Sequence, residues 1–274
     1  MSTRLDTILA KIEWAEHHVG NLNLELASFF DAKPYEIVVE HDAQANQEIY
    51  KINIRAPIPR TIPLMVGDIV HNLRSAFDHL AFQLAGSKAS DRTAYPIAST
   101  AQNFKAIKKA KIEGIAADAL AHIEATQPYH SGYEGIWSLH ELNNFDKHRL
   151  PVVVMIAQQM AGVKMPMPEF MNTLLPSFNV QAFDVGYQAE FTCAATFMKG
   201  GGKSHVSIQD GDVIATCSPI SGLPHWVKMY PQIAFTCDVA FHEPAIVKGE
   251  AVLPFLAQLA QLAKGTIQTF AQFL

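Results

Sequence analysis

Apolar residues recur at spacings of three and four through the first part of the chain. This spacing is typical of an amphipathic helix that packs one side against a core, and it predicts a helix from about Thr3 to Phe30, with Pro34 beyond its end. The apolar stripe of this helix comprises Leu5, Ile8, Leu9, Ile12, Ala15 and Val19. From Tyr35 to Ile54 the pattern changes to an alternation of apolar and polar residues around the polar stretch 41–47. Alternation of this kind predicts a β-hairpin.

A second helix is predicted over about residues 62–85. Thr61 can cap its start, Pro63 suits its first turn and Gly86 can end it. Periodicity predicts three further helical segments before Pro151, which are Asn103–Gly114, Ile115–Thr126 and Tyr133–Arg149.

Beyond Pro151 the chain becomes rich in short β-forming runs separated by Gly and Pro. These runs are Ala189–Phe197, His205–Ile208, Val213–Cys217 and Ile233–Phe241. An amphipathic helix is then predicted over Glu250–Phe273. We therefore predict an α+β fold: a helical layer with a β-hairpin over residues 1–155, followed by an antiparallel sheet over residues 156–274 that the last helix covers. One integrated domain is the alternative to this division.

The composition sets limits on the class of protein. A formal net charge of -5 and a pI near 6.2 give no global attraction for nucleic acid or anionic lipid. The longest apolar run, 150–157, is much shorter than the roughly 20 residues of a membrane span. The three cysteines form no C-x-x-C pair, and the first twenty residues lack a signal-peptide pattern. We therefore expect a cytoplasmic protein with reduced thiols and no membrane partner.

Short polar residues cover one face of the predicted helix 62–85. At 100° per residue, Asp68, Asn72, Ser75 and His79 fall within an arc of ~60°. These residue types are poor helix formers, so a role other than solubility is expected. His71 and Asp78 flank this arc, and Arg74 and Asp78 have the spacing of an ion pair.

The predicted helix 133–149 carries a comparable face. His140, Asn143, Asn144 and Lys147 lie within an arc of ~100°. We expect the two faces to converge across a polar seam between the two helices. The alternative from the residues alone is a buried hydrogen-bond network with only a structural role, in a non-catalytic interaction protein.

Two segments resemble the motifs of a family of uncharacterised bacterial hypothetical proteins. They are Asn72-Leu-Arg-Ser-Ala-Phe-Asp-His79 and Leu139-His-Glu-Leu-Asn-Asn-Phe-Asp-Lys-His-Arg-Leu150. The resemblance covers about residues 60–155 and implies a bacterial origin, but it implies no particular chemistry.

The pair Arg74 and His79 also resembles the Arg-x4-6-His motif of HEPN ribonucleases. The resemblance implies metal-independent RNA cleavage, in which His79 acts on a ribose 2′-hydroxyl and Arg74 holds the phosphate. The sequence departs from that family at Ser75, where Asn, Asp or His is usual, and in its long β-rich second half. A local basic patch that could guide a polyanion is formed by Lys105, Lys108, Lys109 and Lys111.

The leading hypothesis from the sequence is a phosphate-ligand pocket at the seam. Its first contacts are predicted to be Arg74, His79, His140 and Lys147. The supporting binding residues are predicted to be Asp68, Asn72, Ser75, Asp78, Asn143, Asn144 and His148. The ligand is an unidentified small molecule or RNA, no cofactor or resident metal is predicted, and a homodimer is one open oligomeric state. Whether the chain is an enzyme stays open.

A divalent-metal hydrolase is the second hypothesis, because the two helices carry many nitrogen and oxygen donors. Neither helix has two His residues one turn apart, so ligands from both helices would be needed. The candidate donors are His71, His79, His140 and His148 with Asp68, Asp78 or Asp146.

Overall fold

The computed structural model describes residues 4–164, 195–196, 209–217 and 232–274. The fold is α+β, as the sequence predicts. The chain forms two compact units. Unit 1 comprises Met1–Ala32, Ile58–Val154 and Val239–Leu274, and unit 2 comprises Lys33–Pro57 and Met155–Asp238.

Unit 1 is built from helices. These are α1 (Arg4–Asp31), α2 (Thr61–Ala85), α3 (Ala101–Lys111), α4 (Ala117–Ala125), α5 (Glu134–Asp146) and α6 (Val252–Gln268). The long helix α1 packs along α2, α6 packs on both, and α5 packs on α2 and α6. Fully buried side chains from these helices, among them Ile12, Leu73, Phe77, Leu142 and Leu256, form one continuous apolar core. Burial of one such side chain stabilises the fold by about 1.5–3 kcal/mol.

The start of α2 differs from the sequence prediction. Thr61 is not the cap, because Arg60 occupies the cap position without a side-chain hydrogen bond. The Thr61 hydroxyl instead donates to Glu25 of α1 over 2.7 Å, and this bond joins the two helices at that end. Gly86 ends α2 as predicted. Its positive φ of 57° suits glycine, and its N–H donates to the Phe82 carbonyl.

Helix α5 ends at Asp146, three residues before the predicted end at Arg149. Beyond Asp146 the N–H groups of His148 and Arg149 both donate to the Phe145 carbonyl, so the chain leaves the helix in a turn. The last helix is likewise shorter than predicted: α6 ends at Gln268, and a 3-10 turn over Ala271–Phe273 follows.

Unit 2 contains the predicted hairpin of β1 (Tyr35–Asp42) and β2 (Gln47–Ile54). The strands β4 (Ala195–Thr196) and β5 (Val213–Cys217) extend it into an antiparallel sheet of order β1-β2-β5-β4. The strands β3 (Val152–Lys164) and β6 (Gln232–Glu243) form a second, two-stranded sheet. Of the predicted strand 189–197 only residues 195–196 are described, and His205–Ile208 lies outside the described residues.

The hairpin lies in one sheet with a strand from the later part of the chain. The hairpin belongs to the same unit as the later strands because the exposed edge of β2 pairs with β5. The last helix packs on α1 and α2 in unit 1, where its apolar face completes the helical core. No helix in the described part of the chain combines the length and hydrophobicity that a bilayer span requires.

Candidate functional site

Arg74 lies in the interior of unit 1, where it holds a segment of backbone. Only 6% of the residue is exposed. One guanidinium nitrogen, Nη2, donates to the Tyr95 carbonyl over 3.1 Å, and Nη1 lies 2.7 Å from Oδ1 of Asp78 in an ion pair. The same Asp78 oxygen accepts the Tyr95 N–H over 3.0 Å. Arg74 and Asp78 therefore satisfy both backbone groups of Tyr95, and we call the three residues the Tyr95 clamp.

Gln127 fixes the chain just beyond the Tyr95 clamp. Its side chain is fully buried, its Oε1 accepts the Ala98 N–H over 3.0 Å, and its Nε2 donates to the carbonyls of Pro96 and Ile123. One amide side chain thereby joins the segment 96–98 to the end of α4. Because every bond is made in the interior, this segment forms a rigid wall.

A pocket of about 280 Å³ lies against this wall, between α3 and α5. Its lining is mainly apolar, with charged or polar side chains from both helices. The lining residues are Ile97, Ala98, Ser99, Asn103, Ala106, Ile107, Lys111, Trp137 and His140. The predicted seam lay between α2 and α5. In the structure α2 and α5 are neighbours, but the pocket opens between α5 and α3, and Arg74 serves the Tyr95 clamp behind it.

Lys111, the last residue of α3, contributes a charged side chain to the lining of the pocket. It is half-buried, and no carboxylate in the described part of the chain lies within ion-pair distance of its Nζ. Burial lowers the pKa of Lys111, the positive charge of Arg74 lowers it further, and Asp78 opposes the effect in part. A half-buried ammonium without a counterion is destabilised, and a bound anion would relieve this.

His140 of α5 has an unusually low pKa. Burial first, and then the charges of Arg74, Lys111 and Lys147, lower the pKa of His140 to about 4. The imidazole is therefore neutral near pH 7. Its Nε2 lies 3.0 Å from Nδ2 of Asn144, which can only donate, so the ring proton belongs on Nδ1. Nδ1 is buried and has no hydrogen-bond partner among the described residues.

The predicted polar face of α2 does not reach this pocket. Asp68 and His79 are exposed, and Ser75 is half-buried. The side chain of Asn72 accepts a hydrogen bond from Lys11 of α1 over 3.4 Å and donates to the Asp68 carbonyl. This face of α2 therefore adjoins α1 and solvent, because the side facing α5 is formed by residues in a different angular position on the helix.

The structure does not bring Arg74 and His79 together within the chain. They are five residues apart on one helix, which separates them by roughly 140° around its axis. Arg74 points into the interior, where both guanidinium contacts are used, while His79 is exposed. HEPN-like cleavage by this pair stays a prediction.

The remaining candidates on and after α5 have different positions. Asn143 is buried, Asn144 holds the imidazole of His140, and Lys147 and His148 are exposed beyond the helix end. Lys147 contributes to the site only through its charge, which lowers the pKa of both His140 and Lys111.

Gly67 allows α5 to approach α2 closely. A Cβ at this position would lie 2.5 Å from Oδ1 of Asp146, so the glycine makes room for that carboxyl group. Burial raises the pKa of Asp146, Asp68 raises it further, and His71 opposes the effect. Asp68 and His71 therefore act electrostatically on Asp146, at the opposite end of α5 from Trp137.

The metal-dependent hypothesis requires donors that converge. Over residues 4–164, 195–196, 209–217 and 232–274, no three His, Cys, Asp or Glu side chains form a group that could hold a metal ion. The seven donors proposed from the sequence all lie within these ranges. The structure therefore does not assemble the cluster that this hypothesis needs.

Several residues of the site carry no recognisable sequence signal. Gln127 and Trp137 were not among the predicted site residues, and Lys111 appeared only as part of a basic patch. The role of Lys111 depends on the fold of α3 against α5.

Comparison of the chain with protein-family models, with curated proteins and with solved structures gave no match in any of the three.

Proposed function

We propose that the protein binds a small anionic ligand in the pocket between α3 and α5, with phosphate as the best-fitting anionic group. The observation that carries the proposal is the half-buried Lys111 side chain, which lines a largely apolar pocket and has no counterion among the residues that the structure describes. A buried charge of this kind is normally paired with a carboxylate or with a ligand.

The surrounding charges support the same conclusion. Arg74, Lys111 and Lys147 are three positive groups that act on the site, and Asp78 is the negative group that acts with them. The excess of positive charge lies next to low-dielectric walls, where the electrostatic potential is focused. A phosphate with two negative charges gains more from this potential than a carboxylate with one.

His140 supplies a second polar group to the pocket. Its neutral state near pH 7 and its unsatisfied Nδ1–H suit a donor to a ligand oxygen. Nδ1 is buried, so this contact requires the ring to turn. The main attraction is therefore assigned to Lys111 and the secondary contact to His140.

The proposal is tested by the binding of inorganic phosphate, measured by isothermal titration calorimetry at low ionic strength. A hydrogen bond to a charged group contributes about 1.5–3 kcal/mol, so the Lys111→Met variant is expected to bind phosphate about 10- to 100-fold more weakly. Lys111→Arg, which keeps the charge, is expected to retain most of the affinity.

Lys105→Met is the matched control, because Lys105 lies on the same helix but is exposed and does not line the pocket. It removes the same charge from the protein and is expected to bind phosphate as the wild type does. Equal weakening by Lys105→Met and Lys111→Met would show that binding depends on overall charge, and equal affinity of Lys111→Met and wild type would refute the proposal.

A further inference from the structure

The polar and apolar groups of the pocket are separated along α3. Asn103 near the start of the helix and Lys111 at its end both line the pocket, and Ala106 and Ile107 lie between them. Eight residues of α-helix span about 12 Å. A ligand that follows this surface therefore contacts a charged end, an apolar middle and a neutral polar end.

The apolar middle includes an aromatic surface. Trp137 lies across the pocket on α5, with its ring centroid 5.5 Å from that of His140, and both rings line the pocket. Indole surfaces favour flat aromatic partners in offset or edge arrangements, which add about 0.5–1.5 kcal/mol beyond burial alone. Ile97 and Ile107 contribute branched apolar surface to the same wall.

The size of the pocket limits the ligand. An apolar cavity of roughly 150 Å³ is sufficient for a single benzene ring. The volume of about 280 Å³ therefore accommodates one ring together with one charged group. A ligand with several fused rings and a long polar chain exceeds this volume.

From the separation of charge, the aromatic surface and the volume, we infer that the ligand is a small aromatic anion whose single ring lies against Trp137 and whose phosphate or carboxylate group contacts Lys111. The inference rests on the proposed function, because it names the ligand class of the same pocket. The neutral polar groups of Ser99 and Asn103 lie at the end away from Lys111, where they can bond to a ring substituent.

Calorimetric titrations of the full chain with four probes distinguish the contribution of the ring to binding from that of the charge. Inorganic phosphate carries charge alone, benzyl alcohol carries the ring alone, and phenyl phosphate and benzoate carry both with different anionic groups. We expect phenyl phosphate to bind about 3- to 10-fold more tightly than inorganic phosphate. Benzoate reports whether the site accepts a carboxylate in place of a phosphate.

The Trp137→Leu variant is expected to bring the ratio of the phenyl phosphate affinity to the inorganic phosphate affinity close to one. Trp14→Leu is the matched control, since Trp14 is an exposed tryptophan on α1 that does not line the pocket. Trp137→Phe keeps an aromatic ring and is expected to retain part of the preference. It also serves as the test variant if circular dichroism shows that Trp137→Leu fails to fold.

The outcomes test the aromatic ligand class separately from the proposed anion site. Binding of inorganic phosphate without any preference for phenyl phosphate or benzoate would overturn the aromatic ligand class and leave the anion site standing. A preference for phenyl phosphate that persists in Trp137→Leu would overturn the position of the ring. If only Trp137→Phe folds, a phenyl phosphate affinity equal to that of the wild type would overturn it. Loss of the preference in the Trp14→Leu control would overturn it as well. Absence of binding by all four probes would overturn both.

Discussion

The Tyr95 clamp makes a quantitative prediction for the Arg74→Met variant. Methionine retains most of the aliphatic packing of arginine but removes the guanidinium group. The lost hydrogen bond to the Tyr95 carbonyl involves a charged donor and contributes about 1.5–3 kcal/mol. The ion pair with Asp78 adds only about 0–1 kcal/mol, because 39% of the Asp78 side chain is exposed and solvent screens the pair. We therefore expect the free energy of unfolding to fall by about 2–4 kcal/mol.

The measurement is urea denaturation followed by far-ultraviolet circular dichroism. The midpoint is expected to fall while the slope with denaturant stays the same, since the folded structure buries the same surface. Asp78→Asn is the companion variant. It keeps an amide oxygen to accept the Tyr95 N–H and removes only the charge, so its loss is expected to be about 1 kcal/mol or less.

The same two variants have opposite expected effects on His140. Arg74 lowers the pKa of His140 and Asp78 raises it, so Arg74→Met is expected to raise that pKa and Asp78→Asn to lower it further. Titration of the imidazole by nuclear magnetic resonance measures both shifts. A stability change below about 0.5 kcal/mol in Arg74→Met, which is typical of an ordinary surface substitution, would refute the clamp. Shifts of the His140 pKa with the same sign in both variants would refute the charge coupling to the pocket.

Three further predictions address the rest of the site. Gly67→Ala places a methyl group against the carboxyl of Asp146, which must move, while Ala gains about 0.5–1 kcal/mol of helix propensity over Gly, so a net destabilisation of about 1 kcal/mol is expected. In thermal denaturation the loss should disappear in an Asp146→Ala background, and equal losses in both backgrounds would contradict the close contact. His140 has its pKa lowered from 6.5 to about 4, so the unfolded chain binds more protons between these values and the free energy of unfolding should decrease as pH falls from about 6.5 to 4. His140→Gln should flatten that slope, and an unchanged slope would show that His140 is not the titrating group. His79→Ala is expected to leave phosphate binding unchanged because His79 is exposed and does not line the pocket; loss of EDTA-resistant RNA cleavage in this variant would instead support the HEPN-like hypothesis.

The amphipathic patterns determine the secondary structure of unit 1 closely. Helices α1 and α2 begin and end within one residue of their predicted bounds, because their apolar stripes are long and Gly86 gives a clear end signal. The hairpin 35–54 follows from the alternation of apolar and polar residues in the same way. Short-range signals were less reliable where two interactions compete, as at Thr61, whose hydroxyl bonds to Glu25 of α1 in place of capping its own helix.

The identity of the polar residues was also visible in the sequence, but their grouping was not. The sequence placed Arg74, Asp78 and His140 on two helices and predicted that the polar faces of these helices converge, whereas Lys147 lies just beyond the end of α5. Only the tertiary structure decided that the guanidinium group of Arg74 bonds to the Tyr95 carbonyl and that α3 supplies Lys111 to the pocket. Helical periodicity fixes which residues share a face of one helix, whereas the neighbour of that face depends on long-range packing between segments far apart in the chain. The same reason explains why the hairpin joined β5 and the last helix joined α1 and α2.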